Sequence, residues 1–317
     1  AVVFDLQLEA EILGCELVWS KNGPPSVKTH PLAESMEIPC RCTIPKKTDG
    51  RMPMVLNVTR RLKEKFGKTT GIYSLVCGPF TLASHLRGND IFLDMYDDED
   101  YVDRLLDYCK DVCLAMADMY IEAGADVVAV VDPLVSQISS DYFERFLNKP
   151  YVEIFKHIRE KEKFSAFFVC GDATRNIECM CKTAPDCISV DENVNLSDAK
   201  VITDKYNICL AGNIPLTTIM LHGTQKDNMK CAIDIIESMG TKNFILSPGC
   251  DMPYSTPIEN TIGVVQAVYE LEQAKKIIEN YVALEEDIEV NLPDYDNLEK
   301  PLVEVFTLDS ATCAACT

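Results

Sequence analysis

The chain has 317 residues, 47% of them hydrophobic, and a net charge of −20; that is apolar material for one large barrel or two ordinary domains. The negative charge repels phosphate backbones and anionic lipid surfaces, which disfavours nucleic-acid and membrane binding. No apolar run reaches the roughly 18 residues that a membrane-spanning helix needs.

Short, apolar, β-rich runs at 2–4, 73–77, 127–131, 166–170, 188–190, 208–210 and 244–246 predict seven strands. Apolar on both faces, they suit a buried parallel sheet. Amphipathic stretches lie between them. The clearest is 100–122, with Val102, Leu105, Leu106, Cys109, Val112, Cys113 and Met116 at helical spacing. A second runs over 256–281. It opens with Thr256, Pro257 and Glu259, which read as a capping box with Pro at the first helical position. Strand–helix alternation of this length predicts an α/β fold, a (β/α)8 barrel of the TIM type or an open parallel sheet. Seven strands are one short of eight, and the barrel reading expects the first to lie upstream of Ala1.

Nearly every predicted strand ends in a small or polar cluster: "CGPF", "VDPL", "CGDA", "VDEN", "AGNI", "SPGC". These are the loops from which a parallel barrel builds its active site. Beyond the barrel unit of 1–284, the segment 285–300 is acidic and aperiodic, as a linker is. Residues 301–317 read as a strand followed by Cys313-x-x-Cys316, the start of a truncated thioredoxin-like domain or a tail with two incidental thiols.

The fifteen cysteines are scattered, many inside apolar patterns such as Cys77, Cys109, Cys113 and Cys209. That predicts a reduced, cytoplasmic protein from an anaerobic setting, without a disulfide framework. Two cysteines stand apart. Cys250 follows Gly249 on a strand-to-helix corner, and Cys170 ends an earlier strand before Gly171 and Asp172. Two strand-end thiols can meet over a barrel mouth and would suit zinc, although two ligands alone do not specify a site. Asp132 ends a strand before Pro133, where it either contacts substrate or caps the next turn. Gly212 and Asn213 shape a strand-end loop. Cys40-x-Cys42 and Cys179-x-Cys181 lack a second pair at zinc-finger spacing and read as incidental.

At "GPFTLASHLRG" (78–88), "VCGDATRN" (169–176), "AGNIPLTTIMLHGT" (211–224) and "FILSPGCDMPYSTPIEN" (244–260) the chain resembles the uroporphyrinogen decarboxylase superfamily. The resemblance spans roughly residues 1–280 and implies a (β/α)8 barrel. The decarboxylase branch carries histidine where this chain has Cys250; the cobamide-dependent methyltransferase branch carries cysteine there. That branch also has a His-x-Cys motif at an earlier strand end, matched here by Phe168-Val169-Cys170. The resemblance therefore implies catalytic Cys170 and Cys250, binding zinc, with a third ligand among Asp172, Glu192 and His85, Glu192 preferred. It implies a methylated corrinoid carried by a partner protein and a small thiol or other acceptor for the methyl group. By the same resemblance Asp5 matches a substrate-holding aspartate, or else is a helix cap, and His85 stands where the decarboxylases have tyrosine. Asp5, His85, Asp132 and Asn213 are thus the candidate substrate contacts. Two alternatives stay open: a uroporphyrinogen decarboxylase-type lyase, and a non-enzymatic corrinoid-binding or redox scaffold, motivated by Phe168 and the Cys313-x-x-Cys316 tail.

Overall fold

In the computed structural model, residues 5–21 and 23–282 are described. The predicted strand at 2–4, the linker 285–300 and the segment 301–317 lie outside them. A short antiparallel pair comes first, β1 (Leu17–Val18) with β2 (Ser26–Val27). Two residues per strand are too few for any periodicity to be read.

The remaining strands form one sheet: β3 (Tyr73–Cys77), β4 (Val127–Val131), β5 (Phe164–Val169), β6 (Cys187–Val190), β7 (Cys209–Ile214) and β8 (Phe244–Pro248). They pair in chain order, and every pairing is parallel. Helices occupy each crossover, as parallel neighbours require. The sheet is rolled. Tyr73 on β3 is hydrogen-bonded to Ser189 on β6, three strands away. Alternate residues of the six strands face one lumen of about 790 Å³, among them Tyr73 and Leu75, Phe164 and Phe168, and Cys187 and Ser189. The other faces meet the helices. This is the wall of an α/β barrel, with β3 and β8 as the two edges of the described sheet.

The long amphipathic stretch is the helix Glu99–Ala123. Asp98 starts it by accepting the Tyr101 amide at 3.0 Å, and Gly124 ends it in a left-handed conformation, φ 107°. Its predicted apolar stripe is buried in full, each large side chain contributing about 1.5–3 kcal/mol. The stretch 256–281 is instead two helices, Ile258–Tyr269 and Leu271–Ile278, interrupted at Glu270, which leaves the helical region at φ −130°, ψ 44°. The capping box there does not form. Pro257 is the cap residue, and the Thr256 hydroxyl is buried without a partner. A reciprocal box forms at Thr224 and Asp227, ahead of the helix Gln225–Met239. No described helix is long and apolar enough to cross a membrane.

Candidate active site at the barrel mouth

The strands deliver their C-terminal ends to one mouth. Cys170 follows the last residue of β5 and Cys250 follows β8 by one residue, Gly249. Both are buried, at 1% and 7% exposure, and their sulfurs lie 2.7 Å apart. Two glycines permit this. Gly171 turns the chain after Cys170 at φ 78°, where a side chain is strained. At Gly249 the reason is space: a Cβ would sit 2.8 Å from the Glu192 backbone nitrogen. The β8 corner is thereby pressed against the β6 corner.

The Glu192 backbone thus packs against the residue that precedes Cys250. The Glu192 side chain is already engaged, accepting the Leu216 amide, and burial raises its pKa. Among the described residues no three His, Cys, Asp or Glu side chains converge closely enough to hold one ion. Asp172 accepts the Thr174 amide at 3.0 Å, closing its own turn. Phe168, two residues before Cys170 and on the same face of β5, lines the lumen. Catalytic zinc sites keep three protein ligands. The residues here supply two ligands of the right softness and fall one short, so the expected set Cys170, Cys250 and Glu192 is not assembled as a triad.

Three of the four candidate substrate contacts, Asp132, Asn213 and Asp5, have structural side-chain partners. Asp132 is fully buried and accepts four bonds: the amides of Phe80 (2.8 Å) and Thr81 (2.9 Å), the Thr81 hydroxyl (2.6 Å) and the Tyr151 hydroxyl. Asp132 makes no side-chain cap on the turn that follows it, Pro133–Gln137; it ties the first turn of the helix Pro79–Arg87 to β4 instead. Burial raises its pKa to about 6 against these bonds. Asn213 donates to the carbonyls of Asp191 (2.9 Å) and Val194 (2.8 Å), so it braces the corner that carries Glu192. Asp5 accepts the Gln7 amide at 2.9 Å and pairs with Arg51. His85 packs on the helix Pro79–Arg87 with Nδ1 sealed and unbonded; burial lowers its pKa to about 4. Its carbonyl is held by His30 Nδ1 and the Cys15 thiol. Of these four, none is among the lumen-lining residues. The polar side-chain atoms of these four serve the scaffold or are sealed within it.

The lumen also holds groups that sequence reasoning missed. Asp251, next to Cys250, lines it, and burial lifts its carboxyl to about 6. Deeper lie Cys187 and Cys209, register partners on β6 and β7 and hydrogen-bonded to each other. Their positions on alternate residues with Ser189 and Ala211 were the available signal. Most of the lining is apolar, so the cavity suits a small, mostly apolar or thioether-like molecule with its polar end toward the mouth.

A family model described as uroporphyrinogen decarboxylase (URO-D) matches residues 1–271. The chain belongs to the URO-D family. Among its relatives, a methylcobamide:CoM methyltransferase MtbA of Methanosarcina acetivorans is 31% identical over 269 residues, 84% of this chain and 77% of that protein. A uroporphyrinogen decarboxylase of the Wolbachia of Brugia malayi is 26% identical over 279 residues, 84% of this chain and 76% of that protein. A solved methyltransferase from Methanosarcina mazei superposes with a TM-score of 0.76 at 27% identity, covering 84% of this chain and 78% of its own. The barrel reading of the rolled parallel sheet rests on this URO-D likeness as well as on the lumen.

Proposed function

We propose that the protein is a methyltransferase that moves a methyl group from a methylated corrinoid, presented by a partner protein, to a small-molecule thiol or related acceptor. The observation that carries the reading is the convergence of Cys170 and Cys250 at the lumen mouth, 2.7 Å apart. The similarity to methylcobamide:CoM methyltransferases supports it.

The chemistry is a displacement at carbon. The acceptor thiol gives up its proton, its sulfur forms the S–CH3 bond, and the electron pair of the Co–C bond stays on cobalt, which leaves as Co(I). The enzyme must hold the acceptor sulfur at the mouth, facing a cofactor too large to enter the lumen. The apolar lumen holds the acceptor's body and keeps water from its sulfur. Cys170 and Cys250 would hold zinc, with Glu192 the remaining candidate; zinc bound there would favour the thiolate of the acceptor at neutral pH. The protein is taken to work reduced, in the cytoplasm of an anaerobic cell.

A test is direct. Purified protein with methylcob(III)alamin and an excess of a small thiol should release cob(I)alamin, followed by its absorbance under anaerobic conditions. No release with any small thiol, alongside turnover of uroporphyrinogen, would move the assignment to the decarboxylase branch. In the structure, the match for the decarboxylases' substrate-holding aspartate, Asp5, is committed to Arg51.

A further inference from the structure

Among the described cysteines only Cys40 and Cys42 are exposed. They stand on one braced turn. Cys40 precedes the single 3-10 turn Arg41–Thr43, and its sulfur accepts the Cys42 amide at 3.2 Å. The Thr43 hydroxyl donates to the Cys40 carbonyl at 2.6 Å and meets the Tyr108 hydroxyl at 2.7 Å. Arg41, between the two cysteines, pairs with Asp107 at 2.8 Å and Asp111 at 3.0 Å on the helix Glu99–Ala123. The turn is thus fixed to the barrel between the two cysteines and directly after them. The two thiols are also in hydrogen-bonding contact with each other.

We propose that Cys40 and Cys42 form a thiol–disulfide exchange site, separate from the lumen pair, whose substrates are low-molecular-weight disulfides. The division of labour follows from the bonding. The thiol and amide of Cys42 hold Cys40 below the ordinary thiol pKa, and the same bond holds Cys42 above it. Cys40 is the attacking sulfur and Cys42 the resolving one. The Cys40 thiolate attacks one sulfur of the disulfide RSSR, so a Cys40–SR bond forms and RS− leaves. Cys42 then releases its proton to solvent and attacks the Cys40 sulfur, expelling a second RS−. The two cysteines lose two electrons and become a disulfide; RSSR gains them and becomes two thiols. A cellular thiol reverses both steps.

The experiment uses the full chain, reduced, with oxidised glutathione as probe, acid quench, alkylation and peptide mass spectrometry. The wild type should form the Cys40–Cys42 disulfide first among its cysteines. Cys42→Ser should accumulate glutathione on Cys40, and Cys40→Ser should react about tenfold more slowly at Cys42. Corrinoid-to-thiol methyl transfer should be unchanged in both variants. The proposal is overturned if the wild type shows no intramolecular disulfide, or if Cys40 and Cys42 take up glutathione at equal rates. The wild-type measurement needs no variant to fold.

Discussion

Cys170 and Cys250 are separated by eighty positions and meet with their sulfurs 2.7 Å apart, one and two steps past the ends of β5 and β8. Strand-end loops of a parallel barrel share one rim. That is why thiols this distant in sequence reach one point, and the predictions below probe what holds them there.

Gly249 sets the approach of the β8 corner to Glu192. In Gly249→Ala the new methyl meets backbone, which cannot yield as a side-chain tip can. The expected loss is about 1–3 kcal/mol of stability and about tenfold or more in methyl transfer. Thermal unfolding and the cob(I)alamin assay check the two effects. Wild-type values in both would show that the corners are not pressed together.

Asn213 holds the other side of the same corner. In Asn213→Ala the Val194 carbonyl loses its donor, while the Asp191 carbonyl keeps the Val194 amide at 3.1 Å. One unsatisfied buried carbonyl costs about 1–3 kcal/mol, measurable by urea unfolding. A change below about 0.5 kcal/mol, within the range of ordinary surface substitutions, would contradict the bracing role.

Much of this frame is legible in the sequence. The apolar runs locate all six sheet strands, because a strand buried on both faces has little freedom in composition. The ends are less legible: β7 runs on through Gly212 and Asn213 to Ile214, residues that look like a loop until the register with β8 is seen. The two thiols are legible through their Gly neighbours. The fates of Asp132, Asn213 and Asp5 are not, because a strand-end polar residue looks the same whether it faces a ligand or ties two elements together. Only the partners decide: Thr81 and Tyr151 for Asp132, and Arg51 for Asp5. Thr256 failed as a cap for a related reason, since local sequence offers the bond and the path of the chain at Pro257 declines it.

Glu9 gives the protein a pH signature. It is buried, it accepts the Cys77 amide at 3.1 Å, and its other oxygen has no partner. Burial raises its pKa from 4.5 to about 8, with Asp5 adding to the rise and Arg51 opposing it. The folded state thus favours the neutral acid. The stability it contributes is complete below about 4.5 and is lost as pH rises toward 8. Glu9→Gln keeps an acceptor for Cys77 and removes the proton. Wild type should lose stability relative to this variant by up to about 1 kcal/mol per pH unit between 5 and 8. Parallel curves in a pH series of urea unfolding would rule the effect out.

Phe168 occupies the position from which a third zinc ligand is expected. Phe168→His would complete a His-x-Cys pair on the lumen face of β5. Zinc affinity should rise about tenfold or more, read by competition with a chromogenic chelator. An unchanged affinity would mean that a side chain at position 168 does not reach the thiol pair.

The central claim is that the Cys170–Cys250 pair carries methyl transfer, and Cys250→Ser tests it most directly. The variant should fold with the wild-type melting temperature and transfer methyl from methylcob(III)alamin to a thiol at least about a hundredfold more slowly. A variant that folds and releases cob(I)alamin at the wild-type rate would contradict it.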